Sequence, residues 1–225
     1  ILLSYFVMHK TTTRLGIHRI SKNPMTYMQI VKNGLPSFSR QGLASIASIL
    51  LNKQAMIYGD AAVAAMAIVT KIFQILFSVL IGFGQGFQPV VGFNYGAGIM
   101  ERVKKAMKFT LKVGMIGMSL AAVAVFLLAP TIMKWFIPDD PAVMEIGIMA
   151  LRAQLISMPL LPLGVMANMT FQSIGKAWRA TIMSAMRQGI FFLPLIFVLP
   201  ALFDIWGVVS SQAAADFLTA AACTP

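Results

Sequence analysis

Long apolar segments separated by short polar gaps dominate this chain and limit what it can fold into. Three stretches, 113–133, 153–175 and 188–203, contain no Asp, Glu, Lys or Arg. A helix needs about 20 apolar residues to cross the hydrocarbon core of a bilayer. The composition agrees, because 58% of the residues are hydrophobic and only 11% are charged, whereas soluble domains are about 25% charged. The sequence therefore predicts a polytopic membrane protein.

Six segments are apolar and long enough to span a membrane. We place them at 36–57, 61–83, 107–129, 143–166, 180–202 and 205–225. The segments lack the ten-residue alternation of membrane strands, so the predicted fold class is all-α, a bundle of spanning helices. Residues 1–9 are apolar but too short to cross, and we expect them to be the tail of a preceding span in an N-terminally truncated chain. Residues 10–35 are predicted to be a cytoplasmic linker, and residues 36–225 the six-helix transmembrane lobe.

The distribution of charge predicts the orientation of the spans. Most Lys and Arg residues lie in three alternate gaps, at 10–32, 102–112 and 176–179, whereas the opposite gaps are richer in acidic residues such as Asp60 and Asp204. Cytoplasmic loops are enriched in Lys and Arg, so the three basic gaps are predicted to face the cytoplasm. Six crossings then return the C-terminus to the cytoplasm, and we expect the protein to lie in the inner (plasma) membrane.

Several local features carry predictions of their own. Residues 24–34 mix Met, Ile and Val with polar side chains, which favours either a helix lying on the inner surface or an ordinary loop. In the gap before the fourth span, Asp140 suits an N-cap and Pro141 the first helical turn, with a cation site at Asp139 and Asp140 as the alternative. The Gly-rich run 82–98 predicts close helix packing, and Pro89 within it predicts a bend or a helix end.

Polar residues inside the spans are the candidates for function, since charges are costly in the bilayer and usually face protein or water. Lys71 lies 11 residues after Asp60, roughly 16 Å deep at 1.5 Å per residue. Asp216 is the one clearly intramembrane acid. It would serve either as the structural partner of a buried base, which the excess of bases favours, or as an ion-coupling group. The substrate-cavity candidates are Arg40, Gln41, Asn52, Lys71, Gln85, Gln88, Asn94, Arg152, Gln154, Arg187 and Gln188.

Other classes of function find little support in the sequence. The histidines, His9 and His18, and the single cysteine, Cys223, form no metal-binding or disulfide pattern, so no cofactor is expected beyond a coupling ion. The net charge of +11 lies in the gaps between spans, without the aromatic and basic interleaving of a nucleic-acid surface. No nucleophile and base pair or catalytic motif is present, so an intramembrane enzyme is an unfavoured alternative.

The stretch GFGQGFQPVVGFNYGAGIMERVKKA resembles the eighth transmembrane segment and following loop of multidrug and toxic compound extrusion (MATE) transporters. Further stretches resemble the seventh, tenth, eleventh and twelfth segments, namely GLPSFSRQGLASIASILLNKQAMIYGD, LRAQLISMPLLPLGVMANMTFQSIG, MRQGIFFLPLIFVLP and GVVSSQAAADF. The resemblance implies two six-helix lobes around a central cavity, with this chain as the C-terminal lobe and the N-terminal lobe as its partner in the bilayer. It also implies export of small amphipathic cations against an inward H⁺ or Na⁺ gradient.

One departure from the family pattern leaves the coupling ion open. Some branches carry coupling carboxylates in the seventh and tenth segments, but here the seventh has none and the tenth has only Glu145, near its outer end. This resembles the bacterial branch whose key carboxylate lies in the first helix. A lipid-linked oligosaccharide flippase of the same superfamily and a non-transporting scaffold are the alternatives. We expect the isolated lobe to be inactive, with Lys71, Arg152 and Asp216 lacking partners from the other lobe.

Overall fold

Helices provide all the regular secondary structure of residues 23–137 and 140–223, the part of the chain that the computed structural model describes. In chain order they are α1 (Pro24–Met56), α2 (Asp60–Gly96), α3 (Met100–Phe136), α4 (Pro141–Ser157), a 3₁₀ turn (Met158–Leu160), α5 (Leu161–Ser173), α6 (Ala177–Ala185), a π-helical turn (Met186–Phe191) and α7 (Phe192–Cys223). Their packed faces bury mainly Ala, Val, Leu, Ile, Met and Phe in one core. The predicted all-α membrane bundle is confirmed.

Four helical segments are long and apolar enough to cross a membrane. They are Asp60–Gly96, Met100–Phe136, Pro141–Ser173 and Ala177–Cys223. The last of these, 47 residues long, reverses direction at Asp204, whose φ of 50° and ψ of −134° are not helical. With α1, which is 33 residues long but is not among these four segments, the described residues form six helical passes through the bundle.

The reversal at Asp204 is visible in contacts across the turn. The Ser211 hydroxyl donates to the Leu195 carbonyl at 3.4 Å, although 16 residues of straight helix would separate them by about 24 Å. A Cβ atom added to Gly207 would collide with the backbone of Leu199 and Pro200. Glycine is therefore the residue that lets the two passes approach, and the predicted break between 180–202 and 205–225 is confirmed.

Two helix starts show how the sequence sets the boundaries. Asp140 caps α4 as predicted, because its Oδ1 accepts from the Ala142 and Val143 amides at 3.0 and 3.2 Å, and Pro141 opens the helix. Asn23 caps α1 in the same way through the Met25 amide. Residues 24–34 are helical, but they run into the first span without a break. They are therefore neither a separate surface helix nor a loop.

The predicted boundary between residues 35 and 36 falls inside α1, where Pro36 is buried within the helix. Prolines are tolerated in spanning helices when neighbouring helices and local adjustments satisfy the freed backbone groups. The predicted tail at 1–9, the linker up to residue 22, and Asp139 with its alternative cation site lie outside the described residues.

Prolines mark irregular turns in α4 to α7 but not in α2. Pro159 lies in the 3₁₀ turn and Pro194 follows the π-helical turn, whereas α2 continues through Pro89 to Gly96. Of the two alternatives predicted for Pro89, a bend or a helix end, the helix end is therefore wrong, and the bend stays a prediction. Gly84 supports the packing interpretation, because a Cβ there would press on the side chains of Met166 and Met169 in α5.

Candidate transport site

Asp216 and Arg187 form an ion pair inside the bundle. The Arg187 Nε lies 2.5 Å from Asp216 Oδ1, and the exposed fractions of the two side chains are 13% and 0%. The guanidinium also reaches Asp216 Oδ2 through its terminal nitrogen at 3.5 Å. A buried charge is tolerated when it is paired and hydrogen-bonded, and the pairing that the sequence favoured for Asp216 is present here.

Two further donors complete the surroundings of the carboxylate. The Ser157 hydroxyl donates to Asp216 Oδ2 at 3.0 Å, and the Gln212 amide donates to Oδ1 at 3.3 Å. Ser157 ends α4 at the 3₁₀ turn, and Gln212 precedes Asp216 by one turn of α7. With Arg187, the described residues therefore supply three donor side chains to the Asp216 carboxylate.

Aromatic rings hold Arg187 from the other side. Its guanidinium carbon lies 5.3 Å from the Phe73 ring centroid and 4.7 Å from that of Phe77. Both rings belong to α2, one turn apart, with their planes nearly parallel at an angle of 13°. Cation–π contacts of this kind gain strength when the cation is desolvated. The contacts of the ion pair therefore hold four elements together. They are α2, α4, the π-helical turn that carries Arg187, and the second pass of α7, which carries Asp216.

The π-helical turn explains how Arg187 and Gln188 both reach the interior. Met186–Phe191 is wound as a π-helix between α6 and α7, and such turns are rare and often occur at functional sites. Both residues line two pockets. The buried Oε1 of Gln188 has no hydrogen-bond partner within the described residues. The turn thus places one charged and one polar side chain between two cavities.

The first pocket lies among α1, α2, α5, α6 and α7, and its empty space, including the part open to solvent, is ≈ 550 Å³. Its polar lining consists of Arg40, Asn168, Ser184, Arg187, Gln188, Asp216 and Thr219. The second pocket, of ≈ 450 Å³, lies nearer the start of α2, and its polar lining consists of Ser48, Thr70, Gln154, Arg187, Gln188 and Gln212. Four of the predicted cavity residues, Arg40, Gln154, Arg187 and Gln188, therefore line these pockets, together with Asp216.

A second polar network links α2, α5 and α6. The Gln88 amide donates to Gln172 Oε1 at 3.1 Å, and Gln172 in turn donates to Asn168 Oδ1 at 2.7 Å. Asn168 donates to the Ala180 carbonyl at 2.5 Å and to the Ser184 hydroxyl at 2.7 Å. Gln88, predicted to line a cavity, thus serves as an interhelical bridge.

The remaining predicted residues lie apart from this cluster. Gln41, Asn52, Lys71 and Gln85 are exposed on the surface of the helical bundle. Asn94 donates to the Val90 carbonyl of its own helix. Arg152 packs its guanidinium 5.0 Å from the Phe126 ring, and its Nε is buried without a hydrogen-bond partner among the described residues.

Sequence reasoning missed several participants, among them Ser157, Asn168, Ser184, Gln212, Phe73 and Phe77. Single Ser, Asn and Phe residues are common in spanning helices, so nothing in the apolar pattern marks these positions. The available signal was the polar spacing of Asn168 and Gln172, which are four residues apart and share one helix face. Ser157 contacts Asp216 and Phe77 contacts Arg187 across distant segments of the chain. Such contacts become visible only in the folded structure.

Comparison with known proteins places the chain in a family. Residues 36–198 match the MatE family model. The chain is 28% identical over 220 residues to the multidrug export protein MepA of Staphylococcus aureus (strain MRSA252). The aligned region covers 97% of the chain and 48% of that relative. The MepA of Staphylococcus haemolyticus (strain JCSC1435) is 25% identical over 219 residues, with 96% and 47% covered. The chain spans about half the length of these curated relatives.

Solved structures share the same fold. A MATE crystal structure in complex with MaL6 superposes with a TM-score of 0.89 at 22% identity, covering 98% of the chain and 51% of that structure. An outward-facing multidrug resistance MATE family transporter of the MOP superfamily superposes with a TM-score of 0.88 at 22% identity. The match covers 98% of the chain and 50% of that structure. Because the family model matches most of the chain, the chain belongs to the MatE family of transporters.

Proposed function

We propose that the complete protein exports small amphipathic cations by antiport, driven by an inward gradient of H⁺ or Na⁺, and that this lobe forms one wall of the transport cavity. The observation that supports this most directly is the position of Lys71. It lies 11 residues after the start of α2 at Asp60, about 16 Å along the helix axis, is exposed on the surface of the bundle, and forms no ion pair within the described residues.

A lysine at that depth is costly against lipid, so intramembrane charges face protein or water-filled space. The polar side chains of Gln41, Asn52 and Gln85 are exposed on the same lobe. These exposed groups suit a face turned toward a second lobe across a hydrated cavity. Relatives of this chain are multidrug export proteins. This similarity supports the export of drug-like compounds through such a cavity.

The ion pair suggests which part of the complete protein couples export to an ion gradient. Asp216 receives hydrogen bonds from Arg187, Ser157 and Gln212, so its charge is compensated within this lobe. We therefore propose that Asp216 joins the helices electrostatically. The carboxylate that exchanges the coupling ion then belongs to another part of the complete protein, and the choice between H⁺ and Na⁺ is made there.

The orientation follows from the charged helix ends. Lys104, Lys105 and Lys108 are exposed near the start of α3, and basic residues accumulate on the cytoplasmic side of inner membranes. We propose that this end, and with it the end of α7, faces the cytoplasm. Lys134 and Trp135, both exposed in the last turn of α3, then lie at the outer surface.

Dye export by the full-length protein tests the proposal. Cells lacking their own efflux pumps would be loaded with a fluorescent amphipathic cation, and its loss followed with and without ionophores that collapse the H⁺ and Na⁺ gradients. We expect export that stops when the gradients collapse. Each lobe expressed alone should be inactive, and co-expression of the two should restore export. Export that persists without either gradient would contradict antiport, and flipping of lipid-linked oligosaccharide without dye export would favour the flippase.

A further inference from the structure

The first pocket carries an unbalanced positive charge. Its charged lining residues are Arg40, Arg187 and Asp216, and the Asp216 carboxylate is already engaged by Arg187. Arg40 is half-buried, and it forms no hydrogen bond or ion pair with any residue in the ranges 23–137 and 140–223. One guanidinium in a largely apolar pocket is thus left with no protein anion to compensate it.

A buried hydroxyl in the same pocket also has a proton to donate. Ser184 is only 6% exposed, and its Oγ accepts a hydrogen bond from the Asn168 amide at 2.7 Å. Among the residues that the structure describes, no acceptor receives the Ser184 hydroxyl proton. Arg40 and Ser184 therefore present donors without acceptors, which is the arrangement that binds an anion.

The other walls of the pocket determine what kind of anion fits. They are formed by the apolar side chains of Phe77, Ile81, Leu161, Val165 and Met183. A small hydrated anion would lose its water in these surroundings without replacing most of it. A ligand with one acidic group and an apolar body would instead pair with the donors and cover the apolar walls.

We propose that this pocket binds the acidic group of a singly charged amphiphile, a carboxylate or a phosphodiester, with Arg40 as its ion-pair partner and Ser184 as a hydrogen-bond donor. The surplus of one positive charge matches one negative charge and leaves a pyrophosphate uncompensated. The acidic group belongs either to a membrane lipid or to a soluble amphiphile. Lys71 does not line this pocket, so the proposed site does not depend on what the complete protein exports.

Binding to the full-length protein tests the site. The purified protein would be titrated with dodecanoate and, as the matched cation, with dodecyltrimethylammonium. We expect Arg40→Gln to weaken dodecanoate binding by about tenfold or more, because charge-assisted hydrogen bonds are the strong ones. Ser184→Ala should weaken it by about threefold to tenfold, whereas Arg40→Lys retains most of the affinity. Binding of the cation should not fall, and the matched control Lys134→Gln should leave both ligands unaffected.

Two further measurements keep the test decisive if Arg40→Gln does not fold. A dodecanoate carrying a photoreactive group should label Phe77, Leu161 or Met183 in the native protein, and labelling confined to other positions would overturn the site. In nanodiscs, phosphatidylglycerol that competes with dodecanoate in the native protein identifies a lipid headgroup as the occupant, and lack of competition identifies a soluble amphiphile. Unchanged dodecanoate affinity in Arg40→Gln, or an equal loss for the cation, would refute the proposal whether or not dye export is found.

Discussion

Arg187 Nε lies 2.5 Å from Asp216 Oδ1, although 29 residues separate the two along the chain. In a straight helix they would stand about 43 Å apart. The reversal at Asp204 brings them together, so the ion pair is also the link between the last two passes. Removing one partner would leave the other charge buried and uncompensated.

Breaking this pair should therefore be costly. We expect Asp216→Asn or Arg187→Gln to destabilise the full-length protein by about 3–5 kcal/mol, measured by chemical or thermal unfolding in detergent. The double variant should lose less than the sum of the two single variants, because neither charge is then left alone. The control is Lys105→Gln, which breaks an exposed pair with Glu101 worth at most about 1 kcal/mol. Strictly additive losses would show that the two residues are not coupled.

Gly207 tests the tight approach of the two passes. Gly207→Ala places a Cβ against the backbone of Leu199 and Pro200, which cannot rotate away as a side chain does. We expect destabilisation of about 1–3 kcal/mol in the same unfolding measurement. Gly117→Ala is the matched control, since nothing lies within 4 Å of its added Cβ and alanine favours a helix. Equal stability of the two variants would rule out the close contact at Gly207.

The bridge at Asn168 makes a separate prediction. Asn168 is 5% exposed and bonds to Gln172, Ala180 and Ser184. Asn168→Ala leaves buried polar groups without partners, and we expect a loss of about 1–3 kcal/mol. Asn94→Ala removes an amide that bonds only its own helix and should change stability little. A similar melting temperature for the two variants would indicate that water replaces the bridge.

The passes were predictable because each long apolar segment is a local property of the sequence. Segments 180–202 and 205–225 were separated correctly at Asp204, and the Asp140 cap followed from its neighbour Pro141. The continuation of α1 through residues 24–35 was not predicted, because Gly34, Pro36 and the polar side chains there resemble a helix end. Helix propensity is a weak guide to where a helix ends when packing against neighbouring helices decides the boundary.

The site was predictable only as a set of unusual residue types. Arg187, Gln188 and Asp216 stand out because charge and amide groups are rare inside spans, but their depth along the chain did not reveal which base pairs with Asp216. Lys71 and Arg152 were equally plausible partners. The π-helical turn at Met186–Phe191 and the reversal at Asp204 decide the pairing, and neither leaves a local sequence signal that fixes its geometry.

The predicted orientation can be tested by cysteine labelling. Cys223 is the only cysteine, so its replacement by serine provides a cysteine-free background. In that background Ala142→Cys, at the exposed start of α4, should react with a membrane-impermeant maleimide added outside intact cells. Lys104→Cys, at the exposed start of α3, should react only after the cells are opened. Labelling of Lys104→Cys from outside would reverse the orientation.

The central claim is that this lobe forms one wall of an export cavity, and the most direct measurement is ion-driven efflux of a fluorescent amphipathic cation by variants of the full-length protein. Rates would be normalised to the amount of folded protein in the membrane. Lys71→Ala, which removes the exposed charge within α2, should lower efflux several-fold, whereas Lys134→Ala in the last turn of α3 should leave it near the native rate. Equal, small effects from the two variants would contradict the account and would make Lys71 an ordinary surface residue.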